Sequence, residues 1–452
     1  MSAENKRVSE ENRNLIDENK KLIQANKRLE EQINLLRNGR NSNRSSTPPS
    51  HDIGRSNSKS LRNKSDRKSG GQQGHAGSTL KMQEKPDQVL DYIPGFCKCC
   101  GADLQNEHSA ICERKQEVVI PPVQVQYVEH RSHSKQCPHC GITCTGELPE
   151  HLHAPIQYGA SVSALVSYLT AYQHIPFNRL AILFKDVFKI PISEGSINNL
   201  LDRTAKKARS VYDILIGKIQ QSRVVGSDET GCPVNGKKGW FYTWQNKTIT
   251  VIAASLNRGY QTIETLFPNG FPKAVYVSDC LAAQLKTPAM LHQLCLAHLL
   301  RELNNFEEAL YCTWSKKMKQ LLLDAIALKK QLTINDYNEP PPSVTELQTQ
   351  LESLLAVDYS TYHKKIKAFI KRLVKNKQSI LTFLYYENVP ADNNGSERAI
   401  RNIKVKAKVS GQFRSKRGAE RFAILRSIID TTNKNSQNIL YALAALENIQ
   451  PE

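Results

Sequence analysis

Three carboxylates stand where β-rich runs or a helix would present them. Asp228 closes Val-Val-Gly-Ser, and Asp279 closes Val-Tyr-Val-Ser. Glu397 lies in Asp392-Asn-Asn-Gly-Ser-Glu-Arg-Ala-Ile-Arg401, near the start of a helix that Asp392 is available to cap. Carboxylates at neighbouring strand ends can share two Mg2+ or Mn2+ ions about 3.5–4 Å apart. Such a pair activates a water or a 3′-hydroxyl and stabilises the leaving oxygen of an in-line phosphoryl displacement. Arg398 and Arg401 are placed to hold phosphates beside it. Singly, each acid is ordinary: a strand-end Asp is usually a turn residue, and Glu397 with Arg401 has the spacing of an i,i+4 helix pair. Glu229 should point away from Asp228, to the other face of the strand, and so stand behind the site.

Cysteine spacing suggests a second metal site. Cys97-x2-Cys100 and Cys137-x2-Cys140 are separated by 36 residues, and each pair runs directly into a glycine, Gly101 or Gly141. This is the turn of a zinc knuckle, where amides face the sulfurs, and four thiolates suit tetrahedral Zn2+. Cys99, Cys112, Cys144, His133 and His139 leave the register open. A closed four-cysteine site has no position for water, so its work is folding or DNA docking. The alternating run 118–128 is expected to form a small sheet between the pairs. The plainer alternative is reduced cysteines in a loop.

Charge is concentrated rather than spread. The 452 residues hold 62 Lys and Arg against 43 Asp and Glu, a net charge of +19. Between Arg398 and Arg426 there are ten Lys or Arg and one acid, Glu420, so +9 of the +19 falls in 29 residues. With Arg398 and Arg401, the residues Lys404, Lys406, Lys408, Arg414, Lys416 and Arg417 make a patch suited to phosphate binding. No apolar run approaches the ~18 residues of a membrane helix. The polar first residues are unlike a signal peptide, so the expected location is the cytoplasm, with no membrane partner. Eleven cysteines in that compartment read as metal ligands or free thiols before disulfides.

The elements that must position these groups follow from periodicity. Val8, Leu15, Leu22, Leu29 and Leu36 recur every seven residues, with Asn5, Asn12, Asn19, Asn26 and Ile33 three before each. Read as d and a positions, with Ile16 and Ile23 widening the stripe, they predict a weak parallel coiled coil whose register the asparagines set. The alternative is a lone amphipathic helix. Residues 38–88 turn to Ser, Asn, Arg and Gly and predict a basic linker, either trailing on DNA phosphates or serving as a solvated tether.

Leu165, Leu169, Tyr172, Leu180, Leu183, Phe184 and Phe188 carry helical spacing. Lys189-Ile190-Pro191 breaks it, and Ser193 caps a further helix with Asn198, Asn199 and Arg203 exposed. That pattern suits a helix-turn-helix or a plain helical hairpin. Strand-like runs at 224–227, 240–245, 248–254 and 274–278 follow, with turns at Asn235-Gly236 and Asn246. Residues 289–390 read as helix broken at Pro340-Pro341-Pro342, and helix resumes from about Asn394.

With these residues in view, the chain resembles a transposase of the insertion sequence 66 family of bacteria over nearly its whole length. The resemblance is carried by the leucine-repeat start, Gly-Gly-Gln-Gln-Gly-His-Ala-Gly77, the Cys-x2-Cys region, Asp-Glu-Thr-Gly231 and Asn394-Gly-Ser-Glu-Arg-Ala-Ile-Arg401. It continues through Ser410-Gly411, Arg414-Ser415-x2-Gly418-Ala419 and Thr432-Asn-Lys-Asn435. It implies a multidomain α+β chain with a ribonuclease-H-like α/β catalytic core and an Asp-Asp-Glu triad of Asp228, Asp279 and Glu397. The family also tends to carry a Cys-x2-His before the Glu. Here that is Cys295-Leu-Ala-His298, followed by Arg301, with a supporting role or mere packing as its implied use.

The organisation expected is therefore a coiled coil (1–37), linker (38–88), zinc module (89–150) and helical DNA-binding region (151–220). The core (221–288) follows, then a helical insertion (289–390), the core's second part with the third acid (391–410) and a basic helical end (411–452). The activity implied is metal-dependent DNA cleavage and strand transfer at the element's terminal repeats. Its partners would be double-stranded DNA, a homodimer or higher oligomer, companion proteins of the element, and the nucleoid. Two departures stand out: Asp279-Cys280 where the family commonly has Asp-Gly, and Gln73 where it usually has Pro. A non-catalytic zinc-containing DNA-binding regulator, or a structure-specific nuclease on the same fold, are the alternatives.

Overall fold

The computed structural model describes residues 2–38, 74 and 79–449. The glycine-rich motif ending at Gly77, with Gln73, and most of the 38–88 linker lie outside the described residues. Two compact units result: Lys59–Gln126, and Met1–Ser58 with Tyr127–Glu452.

In the first unit the described chain is extended, with a Phe96–Asp103 bridge around the first cysteine turn. The sheet expected over 118–128 does not form. Val118, Val119 and Ile120 are exposed with no partner strand, and an isolated alternating run has nothing to pair with or pack on.

In the second unit, α1 (Ser2–Asn38) is a helix over the heptad segment, with Leu15, Ile16, Leu22, Ile23, Leu29 and Ile33 exposed along it. A short hairpin of β1 (Ser134–Gln136) and β2 (Thr143–Thr145) flanks the second cysteine turn.

Four helices come next: α2 (Ala160–Ser167), α3 (Phe177–Phe188), α4 (Glu194–Lys207) and α5 (Arg209–Gln220). Lys189 takes the left-handed conformation that ends α3, and Ser193 Oγ accepts from Ser196 N to start α4. The π-helical turn Tyr168–Tyr172 after α2 leaves the Ala171 carbonyl to the buried Arg426 guanidinium.

The sheet uses β3 (Val224–Val234), β4 (Lys237–Gln245), β5 (Thr250–Ser255), β6 (Phe271–Ser278) and β7 (Ala289–Leu294) in the order β5-β4-β3-β6-β7. The first three are antiparallel, joined by the left-handed Asn235-Gly236 pair and the Asn246 turn. Strand β6 then runs parallel to β3, and β7 parallel to β6, after crossovers through α6 (Tyr260–Leu266) and α7 (Ala282–Lys286). Strand β7 replaces the helix expected at 289. A six-residue segment with four apolar positions is too short for its period to distinguish the two.

Helices α8 (Leu296–Leu310), α9 (Thr313–Lys329), α10 (Pro342–Leu355) and α11 (Lys364–Lys375) form the insertion. The chain ends in α12 (Asn394–Ser410), α13 (Lys416–Lys434) and α14 (Ile439–Leu446).

Alternate residues of β6 enter different cores. Ala274 and Tyr276 join one with Leu180, Phe184, Trp244 and Ile429, while Val275 and Val277 join another with Leu299, Met318 and Phe369. The sheet is thus covered on both faces, as parallel strands require. Burying each Leu or Phe contributes roughly 1.5–3 kcal/mol. Because α2–α5 share the first core with β5, α13 and α14, the 151–220 region is packed against the sheet instead of standing apart. No helix among the described residues is long and apolar enough to cross a membrane.

Candidate active site

The ladder between β3 and β6 pairs Gly226 with Val277, and β6 ends at Ser278. Two residues further along come Asp228, still within β3, and Asp279, one residue past the end of β6; continuing the register would bring them level. Asp228 does not end its strand as the sequence suggested. It pairs with Thr243, because the antiparallel hairpin carries β3 on to Val234 after the parallel partner has stopped. What ends near Asp228 is the parallel ladder. Asp279 Oδ1 accepts from Leu281 N at 2.9 Å, an Asx turn. Cys280 is not among the residues with positive φ, so the turn does not need the family's glycine.

Glu397 is in the first turn of α12, whose start lies directly on β3 and β4. Two glycines allow that approach. A Cβ on Gly226 would sit 2.5 Å from Gln245 Nε2 and 2.9 Å from Asn393 Oδ1, and one on Gly395 would sit 2.5 Å from Gln245 Nε2. Asp392 helps open the helix by accepting from Asn394 N at 3.0 Å. Glu397 does not use Arg401: its Oε1 accepts from Arg301 of α8 at 3.1 Å and lies 3.9 Å from His298 Nε2. Cys295, at the start of α8, is buried and accepts from Asn393 N. Cys295, His298 and Arg301 therefore converge on the third acid's helix.

The acids here bear on one another. Burial pushes the Asp228 carboxyl well above its usual range, and Asp279, Glu229 and Glu397 push it further. Glu229 is raised too, first by burial and then by Asp279. It faces away from Asp228 as expected, held by Arg258 at 3.0 Å and Gln284 at 3.1 Å. A set of acids that repels itself and offers hard oxygen donors fits a divalent ion of the Mg2+ or Mn2+ kind. Among the described residues, no three His, Cys, Asp or Glu side chains converge as closely as metal ligands do.

The basic block divides. Arg398, Arg401, Lys408 and Arg414 are exposed. Burial lowers the Lys404 amine, while the charges of Asp228 and Glu397 act to raise it. Lys406 is turned inward: burial lowers its amine, and its charge reaches His174. Lys416 lies 3.5 Å from Glu420, and Arg417 pairs with Asp202 of α4 at 2.8 Å. Asp202 also takes Arg421, at 2.7 Å, and Arg421 holds the Asn198 backbone and side-chain oxygens. Asn198 is therefore covered by α13, contrary to the exposure expected of a helix-turn-helix, whereas Asn199 and Arg203 are exposed.

The cysteine pairs make two matching turns. Gly101 N donates to Cys97 O and Gly141 N to Cys137 O, with the glycines at φ +73° and +71°. The Cys97 and Cys137 thiols are lowered by amides of the following residues, chiefly Cys100 and Cys140. Amides aimed at sulfur favour thiolate, the form zinc binds, so each pair fits half of a zinc site. All eleven cysteines are free.

Sequence reasoning missed Arg258 and Gln284, which secure Glu229, and the connections of Asn393. Nothing in residue spacing marks the first two. A serine directly before each of the three acids was the available signal for the third.

A family model described as zinc-finger binding domain of transposase IS66 matches residues 94–141, which span both cysteine pairs. No curated protein matches the chain. A second model, described as Transposase IS66 family, matches residues 155–421 and so takes in α2 to α12, the start of α13, the sheet and all three acids; the chain belongs to the IS66 family of transposases.

Proposed function

We propose that this transposase binds the terminal repeats of its own element, cleaves at the ends and joins the 3′-hydroxyls to target DNA. The observation that carries this reading is the parallel pairing of β3 with β6, which brings Asp228 near the end of β6 where Asp279 follows, with Glu397 in the first turn of α12 close enough to act on Asp228. A meander of three antiparallel strands extended by two parallel ones supports a ribonuclease-H-like core. Asp228, Asp279 and Glu397 would hold two Mg2+ or Mn2+ ions, whose chemistry is activation of the attacking oxygen and stabilisation of the leaving one. Arg301 orients the Glu397 carboxylate, and His298 packs beside it. Exposed Arg398, Arg401, Lys408 and Arg414, with Lys404 nearer the acids, bind and align the phosphate backbone. Cys97, Cys100, Cys137 and Cys140 would hold a structural Zn2+. The exposed aliphatic stripe of α1 would pair two copies, so that two element ends are held together, with companion proteins of the element and the nucleoid as its setting.

A cleavage and joining assay tests this. Labelled DNA carrying the element's ends is incubated with Mg2+ or Mn2+ and either the intact protein or Asp279→Asn. Metal-dependent nicks and joined product that vanish in the variant are expected. DNA binding with no cut under any of these conditions would favour the non-catalytic regulator, and nicks without joining a nuclease.

A further inference from the structure

We propose that Asn393 is the positioning residue that sets the spacing of the three acids. Each acid follows a fully buried serine: Ser227 before Asp228, Ser278 before Asp279 and Ser396 before Glu397. Asn393, 1% exposed, reaches all three. Its Nδ2 donates to Ser227 O at 2.5 Å, and its Oδ1 accepts from Ser396 Oγ at 2.6 Å. Its backbone N donates to Cys295 Sγ at 3.2 Å, and Cys295 N in turn donates to Ser278 O at 2.8 Å. One amide therefore ties the β3 residue before the first acid to the α12 residue before the third. The link to the β6 residue before the second acid runs from the backbone N–H of Asn393 through Cys295, and so does not depend on the side chain.

A plain capping role does not account for this. Asn393 occupies the N-cap of α12, where an asparagine side chain ordinarily accepts from a helix amide, yet it makes no such bond. The amide is spent on a neighbouring strand instead. Asparagine suits the place because it donates and accepts at once. Aspartate would lose the bond to the Ser227 carbonyl and add a fourth negative charge beside a cluster that already repels itself. The connection matters because groups that hold metal-binding carboxylates in place tune affinity from behind the ligands.

This inference rests on the two-metal reading above, and its test separates the two. In full-length protein, Mn2+ binding is followed by the resonance of the unbound ion, with Asp279→Asn as the blank, and the metal midpoint of DNA cleavage and the melting temperature are measured alongside. Asn393→Ala should weaken Mn2+ binding about tenfold or more and move the cleavage midpoint equally. Ser396→Ala, which removes one hydroxyl and is the milder change to the fold, should weaken it about threefold. The double variant should be no weaker than Asn393→Ala, because the two groups act as one unit. Unchanged Mn2+ and cleavage midpoints in Asn393→Ala and Ser396→Ala, with only a lower melting temperature, would overturn the positioning role and leave the metal site standing. Wild-type protein that binds no more Mn2+ than Asp279→Asn would overturn the metal reading, and the proposal with it.

Discussion

Arg301 donates to Glu397 Oε1 at 3.1 Å across a sequence separation of 96 residues, joining the first helix of the insertion to the helix that bears the third acid. The Arg301 side chain is 43% exposed, so the pair's value lies in orienting a carboxylate more than in stability. Arg301→Ala should lower cleavage roughly 10–100-fold with little change in melting temperature. Arg301→Lys keeps the charge without the planar fork and should recover only part of that loss. Equal activity in wild type and Arg301→Ala would remove the residue from the site.

Asp228 makes the metal-free fold sensitive to pH. Its folded pKa is raised by burial and by the neighbouring acids, so its contribution favours folding below the unfolded value and is lost as pH rises through the folded one. The metal-free protein should therefore carry this strain at neutral pH. Asp228→Asn should raise its melting temperature by roughly 2–4 °C while abolishing cleavage. Mn2+ and protons compete for the same carboxylate, so affinity should fall as pH is lowered. Calorimetry of the metal-free protein checks the first expectation, and Mn2+ titration at several pH values the second.

The close seat of α12 on the sheet predicts intolerance at Gly226 and Gly395. Adding a methyl at either place drives it into the Gln245 amide, with Asn393 and Ser396 close behind at Gly226. Each Gly→Ala change should cost about 1–3 kcal/mol and reduce activity at saturating metal. Denaturant unfolding measures the first, and a normal unfolding midpoint would show that the helix has room to move.

Arg421 and Asp202 are each mostly buried and join α13 to α4, with Arg417 as a second partner for the acid. Arg421→Ala should destabilise by about 2–4 kcal/mol, since Asp202 and Asn198 lose their guanidinium. The double change with Asp202→Asn should cost less than the single effects summed. Additivity in a double-mutant cycle would contradict the coupling.

Much of this was legible in advance, and the failures have physical causes. The Asn235-Gly236 turn, the Ser193 cap and the end of β6 at Ser278 rest on local chemistry that a sequence carries directly. Strand β7 is not legible because six residues, four of them apolar, do not reveal a period. Asp228 was set at a strand end because a hairpin's reach depends on its partner strand. The ordinary i,i+4 alternative for Glu397, Arg401, is not its partner, because Arg301 reaches it from α8. The inward turn of Lys406 and the covering of Asn198 depend on α13 packing that no local pattern announces.

The most direct test of the central claim is anomalous diffraction from Mn2+-soaked crystals of the full-length transposase. Peaks bounded by Asp228, Asp279 and Glu397, with Mn–O distances near 2.0–2.2 Å and absent in Asp279→Asn crystals, are the expected result. Ordered crystals at saturating Mn2+ with no peak among the three acids would contradict it.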